Sequence, residues 1–296
     1  MPNTFGAQST VVILVNFQDN PVEPFDVPTA QDVVFNQTSG FYLENSQNQT
    51  WLVGDVFGWF TIAVSSTTCD FSQIQAQGEA AATNAGAVLS NYNRIVYAFP
   101  NIANCGWEGL ANLGGSPSHA WVNGFMNLQV VGHEMGHELG LLHSHSLDCN
   151  GLILGSNCTR IEYGDTFDIM GHNVAGHFNA FQKERLGWLN YGSSLSIQFV
   201  QSSGTYTIAP YEDSSPGPKA LKLLESVDAS TGFITYYYVE YRQDLGFDSV
   251  LSPYPAATQG VLIHTGDPSS PNNLYLLNMN PKDTTFYTAA LAVGEN

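Results

Sequence analysis

The segment His133-Glu134-Met135-Gly136-His137-Glu138-Leu139-Gly140-Leu141-Leu142-His143 constrains this chain more than any other, because three imidazoles, a carboxylate and a glycine must all be placed within eleven residues. On a helix, His133 and His137 lie four residues apart on one face, so their ring nitrogens can converge on a single ion at about 2.0–2.1 Å. Glu134 stands beside them, positioned to hold a water. A helix continued to His143 would carry that ring roughly 9 Å along the axis beyond His137, too far to share the ion. Gly140 resolves the conflict. Lacking a Cβ, it can take a positive φ, end the helix and turn the chain back so that His143 enters as a third ligand. The pattern predicts a zinc site with one open position, in which Glu134 serves as general base.

Downstream, Phe167-Asp168-Ile169-Met170-Gly171 supplies a methionine in a tight-turn context, 27 residues after His143. With both elements present the chain resembles the metzincin clan of zinc endopeptidases and, within it, the gametolysin family. The resemblance rests on Gly132 to His143, on Glu162-Tyr163-Gly164-Asp165-Thr166-Phe167-Asp168-Ile169-Met170-Gly171, and on His177-Phe178-Asn179-Ala180 running into Glu184-Arg185-Leu186-Gly187-Trp188. It is weaker over Val11 to Asp19, Gly54 to Phe60 and Tyr238-Val239-Glu240-Tyr241-Arg242, and so extends over most of the chain. It implies a twisted mixed sheet behind two long helices, the second of which, about Met126 to Leu139, bears the first two ligands. It also implies that Met170 forms an apolar floor under the metal, and that the protein is a secreted zinc endopeptidase cleaving extracellular or cell-wall proteins. The family's namesake is associated with a Gln at the first ligand position; His133 keeps the ordinary clan pattern, which favours zinc over copper. Metzincins are commonly held inactive, so the resemblance further implies a pro-segment or inhibitor as a partner of the full-length protein.

Other residues near the motif admit two readings each. His172 lies two positions after Met170, where some metzincins place a tyrosine that binds zinc at rest or stabilises the oxyanion; an imidazole there can do either, or be a loop histidine without metal contact. His145 competes with His143 as third ligand, at a spacing that favours His143. His177 reads as support for the site or the fold, and His119 and His264 as ordinary. Glu138 reads as a solvated carboxylate or one that supports the ligands. The stretch Ser118 to Gly124 is either the sheet edge that pairs with an extended substrate or an internal strand. Two acidic groups are candidates for structural Ca2+, namely Asp19, Glu23 and Asp26, and Asp148, Asp165 and Asp168. Neither matches a defined calcium loop, and turn or cap roles account for most of these residues.

A chain of 296 residues, 43% hydrophobic and 12% aromatic, can bury a sizeable core in one or two domains. Its 8 Lys+Arg against 26 Asp+Glu give a formal charge of −18, which repels nucleic-acid phosphates and anionic lipid surfaces. No apolar run approaches the roughly 18–20 residues of a membrane span, which argues against membrane insertion. The N-terminus lacks a basic region followed by an apolar signal core, so Met1 reads as a start that replaces a removed signal or pro-segment. Four cysteines allow three pairings, and the spacing favours Cys69–Cys105 and Cys149–Cys158. Asn36, Asn48 and Asn157 begin glycosylation triplets, which are short and common.

The coarse pattern is α+β. A strand is expected at Val11 to Phe17, a helix around Ala30 to Thr38, a hairpin or bulged strand over Trp51 to Ser65, a long helix from Phe71 to Asn91 and a strand at Arg94 to Phe99. After Trp188 short alternating runs at Tyr206 to Ile208, Ala220 to Leu224, Phe233 to Tyr241 and Val261 to His264 indicate a mostly β region. The Tyr/Val alternation of Phe233 to Tyr241 reads as sheet packing more readily than as carbohydrate binding. The domain reading is a catalytic domain over residues 1–192 and a β-rich domain over 193–296. Three function classes follow: a zinc endopeptidase acting on protein or peptide substrates, a zinc hydrolase of non-peptide amides or esters, and a catalytically silent binding protein on a protease scaffold. An intact Glu134 and a complete ligand set argue against the last.

Overall fold

The run Val11-Val12-Ile13-Leu14-Val15 is fully buried, as a strand covered on both faces of a parallel sheet must be. It lies at the heart of β1 (Gly6–Phe17), which pairs in parallel with β2 (Thr50–Ile62) on one side and β3 (Arg94–Phe99) on the other. The sheet continues through β4 (Gly109–Ala111) and β5 (Ser118–Asn123) in the order β2-β1-β3-β5-β4. Only β4, at the edge, is antiparallel to its neighbour. The computed structural model describes residues 3–172 and 174–295 and divides the chain into two compact units. The first contains this sheet and runs up to Leu43 and then from Asn48 to Gly140; the second contains Glu44–Gln47 and the chain from Leu141 onward. Helices and two mixed sheets make the fold α+β.

In the first unit one expectation is met and two change, the first change being that the helix expected over Phe71 to Asn91 ends at Asn84 and is followed by a separate 3-10 turn, Leu89–Asn91. Of the hairpin or bulged strand expected over Trp51 to Ser65, the structure has the bulged strand: β2 is one long strand whose register against β1 shifts between Ile13 and Val15. Ahead of that shift, Gly54 of β2 is needed opposite Thr10, because a Cβ would lie 1.7 Å from the Thr10 carbonyl oxygen, at a φ of +155°. The helix around Ala30 to Thr38 is longer than expected: α1 (Val27–Asp32) passes through a π-helical turn, Val33–Thr38, into α2 (Ser39–Asn45). Asp70 caps α3 (Phe71–Asn84), accepting from Gln73 N at 3.1 Å, and the expected Cys69–Cys105 bridge ties the residue before that cap to the loop after β3. Ile74 and Ala82 of α3 pack with Val11, Ile13, Val15, Ile95, Tyr97, Phe99 and Trp121 on one face of the sheet. The helix that carries His133 and His137, α4 (Leu128–Glu138), packs against β4 and β5.

Arg94 locks this unit together. It is 1% exposed, and its guanidinium donates to Gly115 O (2.8 Å), Ser118 Oγ (2.9 Å), Glu138 O (3.1 Å), Asn3 O (2.9 Å) and Gln8 Oε1 (3.0 Å). The four N–H groups of its two Nη atoms, fixed in one plane, cover these five acceptors, Nη1 sharing its two hydrogens among three of them, which an ammonium cannot do.

The second unit is built on β6 (His145–Asp148), β7 (Thr159–Ile161), β8 (Ile197–Val200), β9 (Ala220–Val227), β10 (Ile234–Glu240), β11 (Gly260–Asp267) and β12 (Ser270–Leu277), ordered β7-β6-β12-β11-β10-β9-β8. The β6–β12 and β8–β9 pairs are parallel and the rest of this path antiparallel. The expected Cys149–Cys158 bridge closes the loop between β6 and β7. Tyr206 to Ile208, expected as a strand, is irregular, and β12 had no counterpart in the sequence reading. Helix α5 (Ala180–Leu186), capped by Asn179, presents Phe181 to a core of Tyr211, Ala220, Tyr238 and Leu274. No helix among the described residues is long and apolar enough to cross a membrane.

Arg94→Met should cost about 3 kcal/mol or more, since it strands buried acceptors, and Arg94→Lys should recover little of that loss. Urea unfolding of the three proteins checks this; a Lys variant as stable as wild type would show that charge, not the fork, is what the site needs.

Candidate metal centre

Helix α4 begins where the Asn127 side chain accepts from Val130 N at 3.0 Å. It ends at Gly140, whose φ of +95° turns the chain out of the helix. The carbonyl of His137, left without a helical partner, accepts from Gly140 N and Gly114 N, each at 2.8 Å. On the far side of the turn both flanks of His143 are held: Gln182 Nε2 of α5 donates to Leu142 O at 2.8 Å, and Ser144 N donates to Met170 O at 3.0 Å. The rings of His133 and His137 lie 4.8 Å apart, centroid to centroid. His133, His137 and His143 each offer a nitrogen, and these ligand atoms all lie within 4.8 Å of one another. Among the described residues this is the group that can hold a metal ion. Three neutral imidazoles with no carboxylate ligand suit a borderline divalent cation and leave room for water or substrate.

Glu134 is 6% exposed, and burial together with the neighbouring Glu138 pushes its carboxyl up to about 8. A dication beside it would favour the carboxylate again. Its side chain has room because β4 presents a glycine: a Cβ on Gly109 would fall 2.3 Å from Glu134 Oε1 and 2.6 Å from Cγ and Cδ. Tyr42 steadies the same helix by donating to Gly132 O at 2.8 Å. Glu138 is not solvated. It is 1% exposed, accepts from Ser118 Oγ at 3.0 Å, and is pushed up to about 8 by burial in spite of Arg94 and Ser118.

Met170 is fully buried, and its N–H donates to Asp168 Oδ1 at 2.7 Å. His172 is exposed and lies outside the group of clustered ligand atoms. His145 is also outside it; buried on β6, its Nε2 faces Asn272 Oδ1 at 3.0 Å. His177 is buried between Glu44 Oε1 (2.8 Å) and Lys183 Nζ (3.1 Å), and His119 stacks on Tyr97 with its Nδ1 2.9 Å from the phenol oxygen. The stretch Ser118 to Gly124 is internal, because β5 is flanked by β3 and β4.

The aspartates among the candidate calcium carboxylates have other work. Asp19 accepts from Ser65 Oγ and Ser66 N, Asp26 caps α1 through Thr29 N, and Asp148 accepts from Asn150 N. Asp168 takes the N–H groups of Met170 and Asn179. Asp165 takes Phe167 N and faces His264 Nε2 at 2.8 Å.

The family model described as Gametolysin peptidase M11 matches residues 35–254, most of the chain and all of the motif helix. The chain belongs to this family. None of the curated proteins compared with it matches. Membership makes the chain a metallopeptidase and implies a metal, which the three clustered histidines could hold. Three residues around the gametolysin-type site carried no signal of their own in the sequence. Gln182 reaches back to Leu142 from α5, Gly109 yields space to Glu134, and Glu162 sets Oε1 2.6 Å from His143 Nδ1. Only Glu162 lay within a family-like segment, where a carboxylate opening a turn could have been tested as a partner for a ligand histidine.

The Asp165–His264 pair ties the Met170 turn to β11 and gives a pH signature. Burial opposes both charges, but their mutual attraction outweighs it, holding His264 above and Asp165 below their ordinary values. The contribution of His264 is complete below its unfolded value of about 6.5 and fades as pH rises through the raised folded value, while that of Asp165 fades only in acid. His264→Gln should therefore lose about 3–5 kcal/mol near pH 6, with the deficit narrowing toward pH 9. Denaturant melts of both proteins across this range check it; a deficit that widens with pH would mean that the pair is not charged.

Proposed function

We propose that this chain is a secreted zinc endopeptidase of the gametolysin type, cleaving peptide bonds in extracellular proteins. The observation that carries the reading is the conjunction of three clustered imidazoles with a buried carboxylate next to the first of them. A zinc ion held by His133, His137 and His143 would supply Lewis acidity, lowering the pKa of a coordinated water toward about 7 and polarising the scissile carbonyl. Glu134 receives the proton of the attacking water and passes it to the leaving amine. Its burial serves this role, because a carboxyl shielded from bulk solvent exchanges its proton with the reacting groups. Gly109 keeps the space in which that carboxylate sits, and β4, a free edge next to it, offers backbone groups to an extended peptide. The Met170 carbonyl accepts from Ser144 N and so fixes the backbone beside His143.

Incubation with casein, with and without a zinc chelator, tests the reading when the new termini are mapped by mass spectrometry. Cleavage should stop with the chelator, and Glu134→Gln should lose about 10²–10⁴-fold in kcat while still binding zinc. Protein that is loaded with zinc yet cuts no peptide bond would shift the assignment to a non-peptide amide or ester. Gly109→Ala adds a methyl into the space of the Glu134 carboxylate, so its kcat should fall by about ten-fold or more with zinc affinity unchanged. An active Gly109→Ala enzyme would show that Glu134 can shift without loss.

A further inference from the structure

We propose that Glu162 is the positioning residue of His143, fixing which ring nitrogen faces the metal; this rests on the reading that His133, His137 and His143 bind it. Glu162 Oε1 lies 2.6 Å from His143 Nδ1. A neutral imidazole carries a single N–H, and a carboxylate acceptor draws it to Nδ1, leaving the lone pair on Nε2 as the donor. The ring is also fixed from its face, where Tyr163 packs with centroids 4.0 Å apart. Consecutive residues therefore govern the rotation and the tautomer of one ligand.

The carboxylate is itself held. Its other oxygen accepts from Arg160 Nη2 at 2.6 Å and lies 3.5 Å from His145 Nδ1. All of these residues lie on or next to the β6–β7 hairpin, where Ser146 pairs with Ile161 and Cys149–Cys158 closes the loop. The chain leaving Tyr163 is pressed onto β6, for a Cβ on Gly164 would fall 2.1 Å from Ser146 Oγ. A short hairpin thus carries His145 on one strand and Glu162 just past the other, and His143 just before the first. Its register, rather than sequence proximity, brings Glu162 to His143.

The test is zinc affinity, measured on the metal-free proteins by competition with a chromophoric chelator. Glu162→Ala should bind zinc 10–100-fold more weakly than wild type, the range expected when the hydrogen-bond partner of a ligand histidine is lost. Glu162→Gln, whose amide oxygen can still accept from Nδ1–H, should restore most of the affinity. Arg160→Ala breaks the neighbouring ion pair while leaving the carboxylate in place, and should change affinity far less than Glu162→Ala. Melting of the metal-free proteins should be nearly the same for all of them, since the Arg160–Glu162 pair is solvent-exposed. Wild-type affinity in Glu162→Ala would overturn the proposal and leave the metal site standing. A loss that Gln does not restore and that tracks a lower melting temperature would overturn it in favour of a structural role. Wild-type protein that binds no zinc, or binds it equally after His143→Ala, would remove the site on which the proposal rests.

Discussion

Three imidazoles drawn from eleven consecutive residues can share an ion only if the helix that supplies two of them stops before the third. Everything around the centre serves that stop. The His137 carbonyl, which would otherwise be orphaned at the end of the helix, is taken twice, by Gly140 N and Gly114 N. Arg94 takes the next carbonyl, that of Glu138. Beyond the turn, Leu142 O and Ser144 N are both engaged, so the backbone on either side of His143 has its direction set before any metal arrives. Preorganisation of this kind is what a ligand set needs, because a ring displaced by an ångström forfeits much of its bond to the ion.

Buried charge is the material from which these supports are made. The Met170 turn is irregular, and irregular backbone can be buried only if its N–H groups find acceptors. Asp165 and Asp168 provide them, accepting from Phe167, Met170 and Asn179, and each accepts through a carboxylate that is itself fully buried. The negative charge this brings inside is met by His264 and by Arg242, which lies 2.8 Å from Glu240 and donates to Phe167 O. Such pairs are weak evidence for stability, since desolvation cancels much of their attraction. What they secure here is a shape that an apolar core could not specify, because only hydrogen-bond acceptors can hold an irregular loop in place.

The parts of the fold that were legible in the sequence are those in which one residue type has one physical use. The motif helix was legible from the spacing of His133 and His137, its end from Gly140, and the β1 core from an unbroken apolar run. Both disulfides followed from spacing. Gly54 was legible only as an interruption, because an absent side chain does not say which backbone comes close; the Thr10 carbonyl that forbids a Cβ there is 44 residues away in sequence. Strand β12 opens with Ser270, Pro271, Asn272 and Asn273, residues that read as a turn. Glu138 read as either solvated or supporting the ligands because it stands one residue off the ligand face, and nothing in its neighbours announces Arg94 and Ser118 beside it. Glu162, Gln182 and Gly109 act across pairings set by the fold, and a sequence shows residues rather than pairings.

The charge balance of the chain takes on a different meaning once burial is known. Four of its eight cationic side chains, Arg94, Lys183, Lys219 and Arg242, are buried, as are eight of its 26 carboxylates. What remains outside the core is four cations against 18 carboxylates, so the surface is more one-sided in proportion than the composition states. A field of that sign concentrates cationic chains and repels acidic ones, and it weakens as salt screens it. The interior needs its cations as multidentate donors to carbonyls and carboxylates, and this leaves few for the surface. The same demand for hydrogen-bonded support inside the fold therefore also sets how one-sided the charge on its surface is.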